Sequence, residues 1–130
     1  MQAKNLISHG FALLALTLSI NATAGGIQPF DKAEFEKAQS AGKSVALHFH
    51  ADWCPTCKKQ APILKEILGE KEFAGMVGFT ADYDKEKELK KMMKVSKQST
   101  IVVFKGTKEI VQSTGVTSKD DIKSLLSKGL

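Results

Sequence analysis

The sequence contains no arginine, and all nineteen of its basic residues are lysines. The planar guanidinium fork that reads guanine edges and clamps phosphate is missing, so the net charge of +5 does not point to specific nucleic-acid recognition. Cysteine is nearly as scarce. Cys54 and Cys57 are too few for a disulfide scaffold and too few for a zinc finger built on four thiolates. Proline occurs three times, the last at Pro62, and no Pro/Gly linker, repeat or low-complexity tract divides the chain. Hydrophobic residues at 42% and charged residues at 25% are ordinary for a globular protein and argue against intrinsic disorder, and 130 residues suit one domain. The role of the two cysteines is the main question.

Long apolar runs are also missing, with one short exception near the start. Phe11 to Ile20 is mostly apolar but about half the ~20 residues that a membrane span requires. It follows a segment carrying Lys4 and no acid, and it precedes Ala22-Thr23-Ala24, whose small residues suit a signal peptidase. Residues 1–24 are therefore expected to be a cleaved signal peptide and residues 25–130 the folded domain. Export to a periplasm or a similar compartment, without stable membrane insertion, would place the thiols where oxidation is permitted.

Within 25–130, Gly25-Gly26 reads as a short flexible leader. Asp31 and Glu34 have capping-box spacing and open a helix through Phe35 and Ala38 that ends at Ala41-Gly42. Val45 to His50 alternates as a strand, with Val45, Leu47 and Phe49 on one face and His48 and His50 on the other. A helix from about Cys54 to Leu68 turns Ile63, Leu64, Ile67 and Leu68 inward. Met76 to Ala81 is the next strand, and Asp84 is expected to cap a helix with Leu89, Met92 and Met93 at core spacing. The lysine-rich stretch from Lys85 to Lys97 reads as a solvated helix face. Thr100 to Phe104 is a buried β-branched strand, and Lys105-Gly106-Thr107-Lys108 turns it into a hairpin with Glu109 to Gln112. Ser118 to Asp121 opens a last helix with Ile122, Leu125 and Leu126 inward. The order α-β-α-β-α-β-β-α describes an α/β protein: a central mixed sheet flanked by helices, a closing antiparallel hairpin and a C-terminal helix.

Trp53-Cys54-Pro55-Thr56-Cys57 falls where the first predicted strand meets the long helix. The free N–H groups of a helix's first turn stabilise an anion, and Lys58 and Lys59 are expected to add positive charge. Lowering a thiol pKa from ~8.5 to ~6.5 takes about 2.7 kcal/mol and lifts the thiolate fraction at pH 7 from roughly 3% to roughly 75%. Two intervening residues bring the second sulfur within one turn, so Cys57 can resolve a mixed disulfide formed on Cys54. Pro55 suits the first helical position, and Trp53 supplies an apolar wall. A metal-binding pair and a structural staple are the competing readings, although so short a disulfide loop constrains the unfolded chain little.

Ala51-Asp52-Trp53-Cys54-Pro55-Thr56-Cys57-Lys58 resembles the active-site segment of the thioredoxin superfamily, and the resemblance extends over nearly all of Asp31 to Leu130. Pro62 matches the proline that kinks the active-site helix in many members, and Phe104-Lys105-Gly106 is similar to the strand end before the closing hairpin. The Pro-Thr pair is similar to that of periplasmic thioredoxins serving cytochrome c maturation, but that subfamily's longer insertions and membrane anchor are not apparent. The resemblance implies a monomeric dithiol–disulfide oxidoreductase that needs no cofactor or metal and acts on protein thiols and disulfides. A reducing role implies an upstream membrane electron donor. The resemblance further implies that Cys54 and Cys57 form the redox disulfide, that Trp53, Pro55, Thr56 and Lys58 support it, and that Gln98, Ser99 and Thr100 form the opposing substrate ledge.

Two positions depart from the family. Ser99 stands where it typically has a cis-proline, and a non-proline cis bond costs about 3 kcal/mol, so Gln98–Ser99 is expected to be trans. His48 stands where thioredoxins usually bury an aspartate beneath the cysteines. An imidazole there can shuttle the resolving thiol's proton or, as a cation, favour the thiolate; the bland reading is a half-buried strand histidine. With His50, Cys54 and Cys57 it makes a conceivable Cys₂His₂ metal cluster, so metal binding or delivery through the cysteine pair and a histidine is the alternative function.

Overall fold

The computed structural model describes residues 26–130. The expected signal peptide, 1–24, lies outside them. The described chain runs β1 (Gly26–Pro29), α1 (Lys32–Ser40), β2 (Ser44–His50), α2 (Pro55–Leu68), a 3-10 turn (Lys71–Phe73), β3 (Met76–Asp82), α3 (Lys87–Met92), β4 (Thr100–Lys105), β5 (Lys108–Thr114) and α4 (Lys119–Ser127). The strands form one sheet in the order β1-β3-β2-β4-β5. β1, β3 and β2 are parallel, whereas β4 runs antiparallel to both β2 and β5. This is the expected mixed sheet with its closing hairpin.

Strand alternation divides the core into two halves. Val45, Leu47 and Phe49 of β2 join Phe35 and Ala38 of α1, Leu89 of α3 and Phe79, Val102 and Phe104 on one face. Ala46 joins Leu64, Ile67 and Leu68 of α2, Ile122, Leu125 and Leu126 of α4, and Ile101 and Val103 on the other. Alternation therefore sends His48 and His50 to the face covered by α2 and α4. Each fully buried Leu or Ile side chain stabilises the fold by about 1.5–3 kcal/mol, so three such residues hold α2 firmly on the sheet. Lys119–Glu66 (2.7 Å), Lys123–Glu70 (2.6 Å) and Lys123–Glu72 (3.2 Å) add an exposed network around α4. Exposed pairs of this kind contribute little, and burial carries the packing.

The expected helix starts hold at Asp31 and Ser118, whose side chains accept from the backbone N–H of Glu34 and Asp121. Three expectations are corrected. Gly26 is not leader but the first residue of β1, a four-residue edge strand too short to show periodicity, with Pro29 at its end, where a missing N–H costs nothing. Asp84 does not cap α3: Asp82 accepts from the N–H groups of Asp84 and Lys85, and the helix starts later, at Lys87. Met92 is 71% exposed rather than core, and it is its neighbour Met93, at the end of α3, that packs against the buried cluster.

Candidate active site

The first turn of α2 is built around sulfur. Cys54 is its N-cap, in extended conformation, and its Sγ accepts from the N–H of Cys57 at 3.2 Å. Pro55 occupies the first turn, where its missing N–H is harmless, and no acidic residue lies in that turn to oppose an anion. Pro62 lies within α2, as the resemblance implied. Both cysteines are free thiols and both are buried, Cys54 being only 2% exposed.

The two thiols are tuned in opposite directions. Burial pushes the Cys54 thiol up, but hydrogen bonds from the Cys57 thiol, the N–H groups of Cys57 and Thr56 and the Ser99 hydroxyl outweigh it, and the net direction is down. For Cys57, burial comes first and the hydrogen bond with Cys54 second, and together they push the thiol up to about 11. The N-terminal sulfur is therefore the readier of the two to ionise, and its neighbour is held protonated. Neutral donors produce the lowering. Lys58 and Lys59 are exposed and not among its causes, because water screens them.

Ser99 faces this pair from the loop before β4. The Gln98–Ser99 peptide is trans, as expected. Instead of turning through a cis bond, the chain turns at Ser99 itself, whose φ of 56° lies in the left-handed region. That conformation costs a residue with a Cβ about 1 kcal/mol or more. Three hydrogen bonds hold it: Ser99 N–H donates to Phe49 O (2.9 Å), and Ser99 O accepts from Gly115 N–H (3.0 Å) and Gln60 Nε2 (3.0 Å). The Ser99 hydroxyl donates to Gln98 O at 2.6 Å, and rotation about its C–O bond turns the same hydrogen towards Cys54. Gln98 is half-buried beside it. Thr100, expected in the substrate ledge, is 1% exposed: its Oγ1 donates to Lys97 O and accepts from Thr114 Oγ1, both at 2.8 Å. It braces the loop from behind.

Beneath the cysteines, His48 is 1% exposed, deeper than the half-buried strand position expected. Its Nε2 lies 3.0 Å from Oε1 of Gln60, a fully buried residue of α2. Burial first, with a smaller contribution from His50, lowers His48 to about 4 despite the opposing Gln60 contact. The proton-shuttle and cation roles expected of His48 both need a ring that protonates near neutral pH. This one stays neutral, because the low-dielectric interior disfavours its charge. Gln60 is the site residue that sequence reasoning missed; a polar residue on the apolar side of an amphipathic helix was the available signal.

Trp53 is 59% exposed, and its indole N–H donates to Asp84 at 2.8 Å. It borders an open cleft of about 390 Å³ shared with His50, Asp52, Asp82 and Asp84. One ring nitrogen each from His48 and His50 lies with Cys57 Sγ so that the three atoms are within 4.8 Å of one another. The expected four-ligand grouping thus reduces to three, without Cys54.

The Thioredoxin family model matches residues 26–128. The chain is 33% identical to a Thioredoxin H-type of Oryza sativa subsp. indica over 96 residues, 74% of this chain and 76% of that protein. The crystal structure of Trxlp from Edwardsiella tarda EIB202 superimposes with a TM-score of 0.74 at 30% identity, covering 77% of this chain and 97% of that one. A structure described as a ferredoxin:thioredoxin reductase and thioredoxin f2 complex includes a chain with a TM-score of 0.69 at 26% identity, covering 81% of this chain and 96% of that one. With Cys54 capping the helix and Cys57 one turn behind it, this chain belongs to the thioredoxin family of thiol–disulfide oxidoreductases.

Proposed function

We propose that this oxidoreductase is an exported reductant of protein disulfides. The opposite tuning of Cys54 and Cys57 carries the reading. Cys54 thiolate attacks one sulfur of a substrate disulfide, forms the mixed disulfide and expels the other sulfur as a thiolate. Cys57 then loses its proton and attacks Cys54 Sγ, which releases the second substrate thiolate and leaves Cys54–Cys57 oxidised. The departing substrate thiolates, far more basic than the buried His48 ring, take up the proton. Gln98 and Ser99 form the ledge over which substrate approaches, and His48 acts through Gln60 as a positioning residue.

Direction follows from what stabilises the thiolate. A strongly stabilised thiolate favours the reduced form and makes an oxidant. Here the donors to Cys54 are neutral and His48 carries no charge, so the reduced form is not over-stabilised. The expected reduction potential lies below about −230 mV, on the thioredoxin side of the known range. A value above about −180 mV would reverse the assignment.

The pattern of residues 1–24 supports export, with cleavage after Ala24. Among the described residues no helix is long and apolar enough to cross a membrane. An exported reductant needs electrons from across the membrane, hence a membrane donor; the thioredoxin f2 structure likewise names a reductase as its partner. Insulin-disulfide reduction abolished by Cys54→Ser, a trapped mixed disulfide with Cys57→Ser, and a mature protein beginning at Gly25 are the expected results. Turnover retained by Cys54→Ser would end the proposal.

A further inference from the structure

The second constellation lies under the helix start. His48 and His50 project from the same face of β2 with ring centroids 5.5 Å apart, and a nitrogen of each is within 4.8 Å of the other and of Cys57 Sγ. The surrounding hydrogen bonds decide which nitrogen bears hydrogen. Gln60 gives its two amide hydrogens to Ser99 O (3.0 Å) and Val116 O (2.9 Å), so its Oε1 accepts from His48 Nε2. The Asp52 carboxylate, 3.0 Å from His50 Nε2, also only accepts. The tautomers that these contacts select carry hydrogen on Nε2 and leave both Nδ1 atoms as bare lone pairs, and both are buried without a hydrogen-bond partner among the described residues.

An unsatisfied buried acceptor costs about 1–3 kcal/mol, and two side by side call for an explanation. Imidazoles that bind metal have this arrangement: one nitrogen bare, the other donating to a carboxylate or carbonyl oxygen that fixes the ring. We propose that His48 Nδ1, His50 Nδ1 and Cys57 Sγ form a three-coordinate site for a monovalent copper ion. The ligand set is one soft thiolate and two imidazoles, which suits copper and zinc but not magnesium or calcium. Structural zinc sites have four protein ligands, and these residues supply three. A monovalent ion with one thiolate also leaves no net charge in the interior, whereas a divalent ion leaves one unpaired. His50 opens onto the cleft with Asp52, Asp82 and Asp84, an acidic path for a cation. Binding exchanges the Cys57 proton for the metal and moves no electron. Once Cys57 is in a disulfide its thiolate is gone, so the metal binds the reduced protein only.

The test is anaerobic titration of the reduced protein with copper(I) in competition with bicinchoninate, followed by X-ray absorption of the loaded sample. One copper per chain is expected, with one sulfur and two nitrogen neighbours. His50→Ala and Cys57→Ser should each weaken binding about 100-fold, and Asp52→Asn about 10-fold through the loss of ring orientation. Cys54→Ser should bind normally and diamide-oxidised protein not at all. Two sulfur neighbours, equal losses in Cys54→Ser and Cys57→Ser, unchanged binding by His50→Ala, or preference for zinc would each overturn the proposal. Because His50 is partly exposed, its variant keeps the test valid should changes at His48 disturb folding. Insulin reduction by the metal-free protein reports separately on the redox reading, so either can fail alone.

Discussion

Gln60 and His48 meet at 3.0 Å across the interior, and the contact ties α2 to β2 directly beneath the two thiols. The same amide spans to Ser99 and Val116, so one side chain joins the active-site helix, the central strand, the loop facing the cysteines and the segment after β5.

Replacing Gln60 with leucine leaves the buried His48 N–H and the Val116 carbonyl without their partner and takes from Ser99 O one of its two donors. The expected loss is about 3 kcal/mol, read from urea unfolding. A loss below about 1 kcal/mol would show that the network carries no stability.

His48 makes folding pH-dependent in metal-free protein. Its folded pKa, about 4, lies below the ordinary value of 6.5, so the unfolded chain binds the extra proton between them. This contribution is therefore complete above about pH 6.5 and is lost as pH falls towards 4; it amounts to roughly 3 kcal/mol. Unfolding curves recorded with a chelator present should steepen in that window. His48→Gln should lose that part of the slope, and an unchanged slope would contradict the buried neutral ring.

The thiols should separate under iodoacetamide. Cys54 is expected to react with a midpoint below that of a free thiol, and Cys57 to stay unreactive until the pH approaches about 11. Mass spectrometry of the labelled peptides decides the order. Equal reactivity of the two would remove the basis for assigning nucleophile and resolving roles.

Ser99 does not accept the proline its relatives typically have. Proline requires φ near −65°, against 56° here, and it removes the N–H that Phe49 O accepts. Ser99→Pro should cost about 2–3 kcal/mol. Ser99→Gly should keep stability within about 1 kcal/mol, since glycine adopts this φ freely, while slowing Cys54 alkylation at neutral pH by removing the hydroxyl. A more stable proline variant would contradict the left-handed turn.

The chain's own pattern determined more of this protein than its length suggests. The strand alternation of Val45 to His50, the caps at Asp31 and Ser118 and the hairpin at Gly106 are local signals, decided by side-chain period and by a few backbone hydrogen bonds. The cysteine spacing is local too: two residues between sulfurs place both on one helical turn, whatever surrounds them. Expectations failed where the cause lay far along the chain. β1 exists because β3 lies beside it, not because Gly26 to Pro29 favours a strand. Only the tertiary structure decided that His48 is neutral, that Ser99 turns left-handed and that Gln60 belongs to the site. Each depends on burial depth and on partners 12 to 56 positions away, and desolvation and long-range hydrogen bonds leave no local pattern in sequence.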